Sequence, residues 1–214
     1  MSQPARSQGL SAYVWLPLVL MVAALIWRVL YQQGIVAANL GNLSPLMAFA
    51  FAGAIAFPRS LPWWSWAGLL ILVDWVSMGS QWWSTAHGRE AVLLSYGLYV
   101  LAAWWGSRLR GKAGMVDTVL GTLACSVGFY LVTNSLSWAV ESYYAKTWAG
   151  WVQALTTGKE GLPPTWMFFR NSLIADLLGA TAIVVVYNFE AVVRKLRVMP
   201  VIGWGRQSQT AVAV

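Results

Sequence analysis

The sequence predicts an all-α integral membrane protein, a bundle of six transmembrane helices, and three observations carry that reading. Of 214 residues, 58% are hydrophobic and only 10% charged, against roughly a quarter charged in a soluble domain. Several apolar runs approach the ~20 residues that a helix needs to cross ~30 Å of hydrocarbon, with one interior charge or none. Segments such as AYVWLPLVLMVAALIW do not alternate apolar and polar residues, as the strands of a membrane barrel do.

The first helix is expected over 11–32. Its apolar run continues to spanning length without a small-residue cleavage site, so it reads as a retained helix and not as a signal peptide. The second, over 44–57, opens at Pro45 and stops before Pro58. It is short for a span, which calls for tilting or for shielding by its neighbours. The remaining four are expected over 62–79, 90–106, 113–138 and 166–193, with a long connection over 139–165. The chain thus divides into an N-terminal tail (1–10), one six-helix membrane domain (11–198) and a C-terminal tail (199–214).

With six spans both termini share a side, and the loops test which. One side receives Arg6, Arg59, Arg108, Arg110, Lys112, Arg194, Lys195, Arg197 and Arg206; the other receives Arg89, Lys146 and Lys159, beside Glu90, Glu141 and Glu160. Lys and Arg concentrate in cytoplasmic loops, so both termini are expected in the cytoplasm of a bacterial inner membrane. The net charge of +7 then reflects topology and contact with anionic membrane lipids, not nucleic acid; the basic loop SRLRGKAG anchors charge.

Several chemistries find no support. Cys125 is the single cysteine, inside an apolar run, which excludes an intrachain disulfide and a Cys-based metal cluster. No GxxxxGK[ST] motif is present, and no Ser or Thr stands in a nucleophile motif with a paired base. The reading is therefore of a protein that is not an enzyme and holds no cofactor.

The candidate site lies on the outer side, where three polar and aromatic segments converge: NLGNLSP with Asn42, DWVSMGSQWWSTAHG with Asp74, Trp75 and Trp82, and TNSLSWAVESYYAKTWAGW with Asn134, Trp138, Tyr144 and Trp148. Arg170 and Asn171 open the last helix on the same side. The aromatics read either as an interfacial belt or as the roof of a pocket. Buried polar groups in spans are costly and face a partner or a cavity. Arg170 and Asp176, six residues apart, do not share a helix face. Arg170 therefore snorkels to headgroups, meets Asp74 or meets a ligand, and Asp74 either bonds a neighbouring helix or contacts a ligand; Arg28 is expected to snorkel. His87, the single histidine, is solvated or serves as an axial ligand to a metal-bearing substrate such as one carrying cobalt; it cannot form a catalytic zinc site alone. On the second helix Ala48, Ala52 and Ala56 form a small-residue ladder, either for internal packing or as a docking face for a partner.

NLSPLMAFAFAGAIAF (42–57), LLILVDW (69–75), FYLVTNSLSW (129–138), YAKTWAGW (144–151), GLPP (161–164) and FFRNSLIADLLGA (168–180) together resemble a family of bacterial membrane proteins of unknown role. That family looks related to the substrate-binding S components of energy-coupling-factor (ECF) vitamin transporters. The resemblance implies six helices, an outer pocket closed by the loops after helices one, three and five, and docking on a transmembrane coupling protein that carries ATPases. Solitary relatives work without that partner, and vitamin B12-type ones use a cysteine as cobalt ligand where this chain offers only His87. The chain departs from the pattern in three places. Its alanine ladder is on the second helix, not the first; it has ADL (175–177) where GDL is expected; and VQALTTGKE (152–160) replaces a more apolar connection. The resulting expectation is an ECF S-component-like protein that captures a small vitamin-like molecule, with aromatics stacking it and Asn134, Arg170 and Asn171 bonding its polar groups. The alternative is a non-catalytic, Trp-rich accessory subunit of a larger membrane complex, which the fifteen tryptophans also suit.

Overall fold

The computed structural model describes residues 14–35, 43–58, 60–79 and 88–203. Among them the chain is all-helical, without a strand. The seven helices are α1 (Leu16–Gln32), α2 (Leu46–Ala56), α3 (Ser65–Met78), α4 (Gly88–Leu109), α5 (Met115–Val140), α6 (Trp148–Leu155) and α7 (Thr165–Val193). Six of them are the expected helices, with ends within three residues of expectation apart from the later start of α1. The seventh, α6, lies inside the expected loop. Thr147 starts it, its hydroxyl accepting the Gly150 N–H at 3.2 Å. A side chain at position 150 would run into the Ala145 carbonyl, so glycine lets the chain fold back there.

The expectation of six helices of spanning length narrows. Two described helices, α5 and α7, with 26 and 29 residues, are long and apolar enough to cross a membrane by themselves. Helices α1, α2 and α3 are apolar but have 17, 11 and 14 residues. Helix α4 has 22 residues, and Arg89, Glu90 and Arg108 fall within it.

The bundle is built around α2. Every residue from Leu46 to Ala56 is buried, as expected of a helix that is hydrophobic on all sides. Its neighbours come close because they present glycine to it. A Cβ at Gly106 of α4 would overlap the Phe51 carbonyl oxygen, one at Gly121 of α5 the Phe51 ring, and one at Gly179 of α7 the Pro45 ring and Ala48. Ala48, Ala52 and Ala56 are 0–3% exposed. The alanine ladder therefore packs inside the chain, because helices surround α2, and presents no face to a partner protein.

A helix buried this way must satisfy its terminal N–H and C=O groups without water. Asp176 of α7 accepts the Met47 and Ala48 N–H groups through Oδ1 at 3.0 and 3.2 Å. At the other end, Arg110 donates from Nε to the Ala54 carbonyl at 2.8 Å. An anion at the N-terminus and a cation at the C-terminus both oppose the helix dipole.

These bonds define two ends of the bundle. The α2 C-terminal end carries Arg108, Arg110, Lys112, Arg194, Lys195 and Arg197. There Glu190 accepts the Trp15 and Leu16 N–H groups at 2.7 and 2.5 Å and the Arg194 guanidinium at 2.6 Å. The first residues of the expected C-terminal tail are tied down at the same end. The Pro200 and Val201 carbonyls accept the Met115 and Val116 N–H groups at 2.7 and 3.0 Å, and Asp117 accepts the Gly203 N–H at 2.7 Å.

Gly106→Ala is expected to destabilise the protein by about 1–3 kcal/mol through overpacking. Gly97→Ala, on the same helix but with open space around the added Cβ, is expected to leave stability unchanged or raise it by up to about 1 kcal/mol. Unfolding of the two variants side by side in detergent checks this, and equal effects would contradict the glycine contact between α4 and α2.

Candidate functional site

A cavity of about 710 Å³ opens beyond the N-terminus of α2, at the end opposite the basic cluster. Its walls are the C-terminal parts of α1, α3 and α5 and the N-terminal parts of α4 and α7; residues from the α5–α6 and α6–α7 connections lie across it. Its volume falls within the range of pockets that take drug-sized molecules.

Asp176 belongs to the floor. While Oδ1 caps α2, Oδ2 accepts the Ser126 hydroxyl at 2.7 Å, so the carboxylate is held from two helices. Ser126 is itself positioned by α5, its hydroxyl lying 3.0 Å from the Thr122 carbonyl one turn earlier.

One wall is a polar cluster around Asp74, which is 1% exposed. Arg28 donates to it through Nε and Nη2 at 2.6 and 2.7 Å, the two-pronged geometry that suits a planar guanidinium. Gln32 adds a bond at 2.8 Å, and the Tyr96 hydroxyl donates to Oδ2. The Ser77 hydroxyl in turn lies 2.5 Å from Gln32 Oε1 and 2.7 Å from the Val73 carbonyl oxygen. A buried carboxylate with this many donors is stable only as a set: removing one charge of such a pair strands the other.

The third group closes the cavity from the loop side. Lys159 and Glu141 form an ion pair, and Tyr144 beside them is 6% exposed. The bond to Glu141 raises the Lys159 ammonium above its usual range. Burial, followed by the Glu141 charge, raises the Tyr144 phenol. Lys146 donates to the Trp138 and Glu141 carbonyls, the latter at 2.6 Å, and Trp138 Nε1 donates to the Ala145 carbonyl at 2.9 Å. These bonds fix the turn out of α5, and the Tyr130 hydroxyl, donating to the Leu155 carbonyl, fixes the far end of α6.

The aromatic lining is ordered in pairs. Tyr99 stacks on Phe129 with centroids 5.1 Å apart, joining α4 to α5. Tyr130 stacks on Phe169 at 4.2 Å, joining α5 to α7. Tyr96 meets Tyr99 edge-on at 6.3 Å.

Of the residues expected at the site, Asp74, Asn134 and Tyr144 line the cavity. Asn134 donates to the Tyr130 carbonyl at 2.8 Å, leaving its amide oxygen to other partners. Trp138 serves the loop, and Trp75 and Trp148 are 58% and 75% exposed, away from the cavity. Arg170 and Asn171 also lie outside it. Arg170 lies over the Trp166 ring at 5.5 Å and donates to Asn171 Oδ1 at 3.2 Å; Asp74 is met by Arg28 instead. Asn42, Trp82 and His87 fall outside the described residues. Among the described residues no cluster of His, Cys, Asp and Glu suits a metal ion.

Arg28, Gln32 and Tyr96 were missed as site residues, yet a signal exists. Arg28 and Gln32 are four apart on α1, Asp74 and Ser77 three apart on α3, and both pairs sit near the C-terminal ends of their helices. Polar residues at that spacing share a face. Two such faces at the same depth in an apolar bundle point to each other.

Arg28→Met and Asp74→Leu are each expected to cost about 3–5 kcal/mol by leaving a lone buried charge. The double variant is expected to cost far less than their sum, because neither charge remains. Equilibrium unfolding in mixed micelles measures the cycle; additive losses would refute the coupling.

No curated protein matches the chain, and no solved structure does. The model of a family of unknown function (DUF6580) matches residues 8–199, most of the chain, and the chain therefore belongs to that family.

Proposed function

We propose that the protein is an integral membrane protein that captures a small vitamin-like molecule in this cavity, binding it for uptake without transforming it. The cavity itself carries the reading: about 710 Å³, lined by stacked aromatic rings and a few fixed polar groups, at one end of an apolar bundle.

Embedding in the membrane is supported by where the apolar side chains are. Val22 and Ile26 of α1, Leu72 and Val76 of α3, and Leu178 and Phe189 of α7 are 50–71% exposed on the flanks. Asp74, Asp176, Thr118, Thr122 and Ser126 are meanwhile buried. This inverts the distribution of a water-soluble domain. Exposed tryptophans also sit near both ends, Trp63 and Trp64 at one and Trp148 and Trp166 at the other, in the manner of interfacial belts. In this proposal α1–α5 and α7 form the six-helix membrane unit, and α2 needs no spanning length because its neighbours shield it. The basic end faces the cytoplasm of a bacterial inner membrane and the cavity opens outward.

Kinship with ECF S components belongs to the same proposal, supported by six helices with a cavity at one end and by cavity residues drawn from the connection after α5. A coupling protein with ATPases would have to dock on the exposed flanks, since the alanine ladder lies inside. A second reading, a Trp-rich accessory subunit of a larger complex, is favoured by Trp75, Trp104 and Trp105, which are 41–58% exposed between the ends.

A thermal-shift screen of the detergent-purified protein against vitamins and their precursors, with cobalamin, biotin, thiamine and riboflavin included, tests capture. A saturable rise in Tm is expected for one compound. Asn134→Ala is expected to abolish or strongly weaken that rise, and Arg170→Ala, outside the cavity, to leave it unchanged. No rise with any compound, together with a protein stabilised only by a co-purifying partner, would favour the accessory reading.

A further inference from the structure

Five charged side chains line the cavity, and each already faces an opposite charge or dipole. Arg28 is bonded to Asp74 at 2.6 and 2.7 Å. Lys159 is paired with Glu141. Asp176 takes the Met47 and Ala48 N–H groups at the positive end of α2, at 3.0 and 3.2 Å, and the Ser126 hydroxyl at 2.7 Å.

Recognition of an anion or a cation in a poorly hydrated site needs a counter-charge that is not already engaged, because stripping water from an ion is costly and only a new pairing offsets it. The cavity offers none among its described residues. What it does offer is flat apolar surface, in the Tyr99–Phe129 and Tyr130–Phe169 stacks, and uncharged hydrogen-bonding groups, in Thr133, Asn134 and Ser137 on one face of α5. Aromatic faces favour offset stacking of another ring.

We propose that the ligand is an electrically neutral, flat, ring-bearing molecule with hydroxyl or amide groups at its edge, and that the charged forms of the same ring are excluded. This rests on the capture reading above and narrows it to one chemical class.

The test uses pairs that share a ring and differ in charge: riboflavin against riboflavin 5′-phosphate, and nicotinamide against nicotinate, each titrated by thermal shift and by fluorescence quenching. The neutral member of a pair is expected to bind, with the charged member roughly tenfold weaker or worse. Glu141→Gln, which releases Lys159 at the mouth, and Asp74→Asn, which releases Arg28, are expected to narrow that gap by strengthening the anionic member; the first variant keeps the test intact where the second fails to fold. Any other compound found by the wider screen is judged by its own charge at neutral pH. A charged molecule bound as tightly as its neutral counterpart, or tighter, overturns this inference and leaves capture standing. A protein that binds none of the screened compounds overturns both.

Discussion

The fold depends on satisfying the two ends of one short helix in the middle of an apolar bundle. With every residue of α2 buried, its terminal N–H and C=O groups have no water to turn to, and each left unpaired would cost about 1–3 kcal/mol. Asp176 supplies the acceptor at one end and Arg110 the donor at the other. Asp176 belongs to α7 and Arg110 to the turn after α4, so the same bonds that complete α2 also fix the heights of α7 and of the α4–α5 turn. Glycines at 106, 121 and 179 then let α4, α5 and α7 close around it. Close packing and polar satisfaction act on the same element, and neither suffices alone.

The cavity follows from the length of α2. Eleven residues rise about 16 Å, whereas the 26 residues of α5 rise about 39 Å. With α2 anchored near the basic end by Arg110, its neighbours run on past its N-terminus and enclose room that it does not fill. The group that solves the backbone problem is therefore also the floor of the cavity, and its carboxylate is committed to structure. Asp74 repeats the pattern on the wall. Two buried acids beside the cavity both serve the scaffold, so under the capture proposal recognition falls to rings and neutral polar groups.

How much of this was legible follows from what periodicity encodes. Apolar runs locate helices, so six helices were readable, and Pro45 and Pro58 bracketed α2 closely. Length and composition do not say whether a short apolar helix is exposed to lipid or wrapped by other helices. Hence the ladder of Ala48, Ala52 and Ala56 left internal packing and docking both open until burial decided for packing. Helix α6 has only eight residues, too few for an apolar stripe to stand out, and its start depends on a threonine cap in a polar stretch. That Arg28, and not Arg170, meets Asp74 was not legible for another reason. Both arginines lie near helix ends on the same side, and only tertiary register shows that Arg28 sits level with Asp74 while Arg170 stacks on Trp166.

Register also sets which helices of such a bundle can part without stranding a charge. Separating α2 from α7 would strand Asp176 and two backbone N–H groups together, and separating α2 from α4 would open the cleft filled by Phe51 against Gly106. Helices α1 and α3 are joined to each other by Arg28, Gln32 and Asp74, a set that moves as one without exposing a lone charge. In that cluster the Tyr96 hydroxyl ties them to α4. At the other end, α1 is held to α7 through Glu190 on the Trp15 and Leu16 N–H groups. Parting α1 and α3 from α4 beside Asp74 would break the Tyr96 bond without stranding a charge, whereas parting α2 from α7 would strand Asp176.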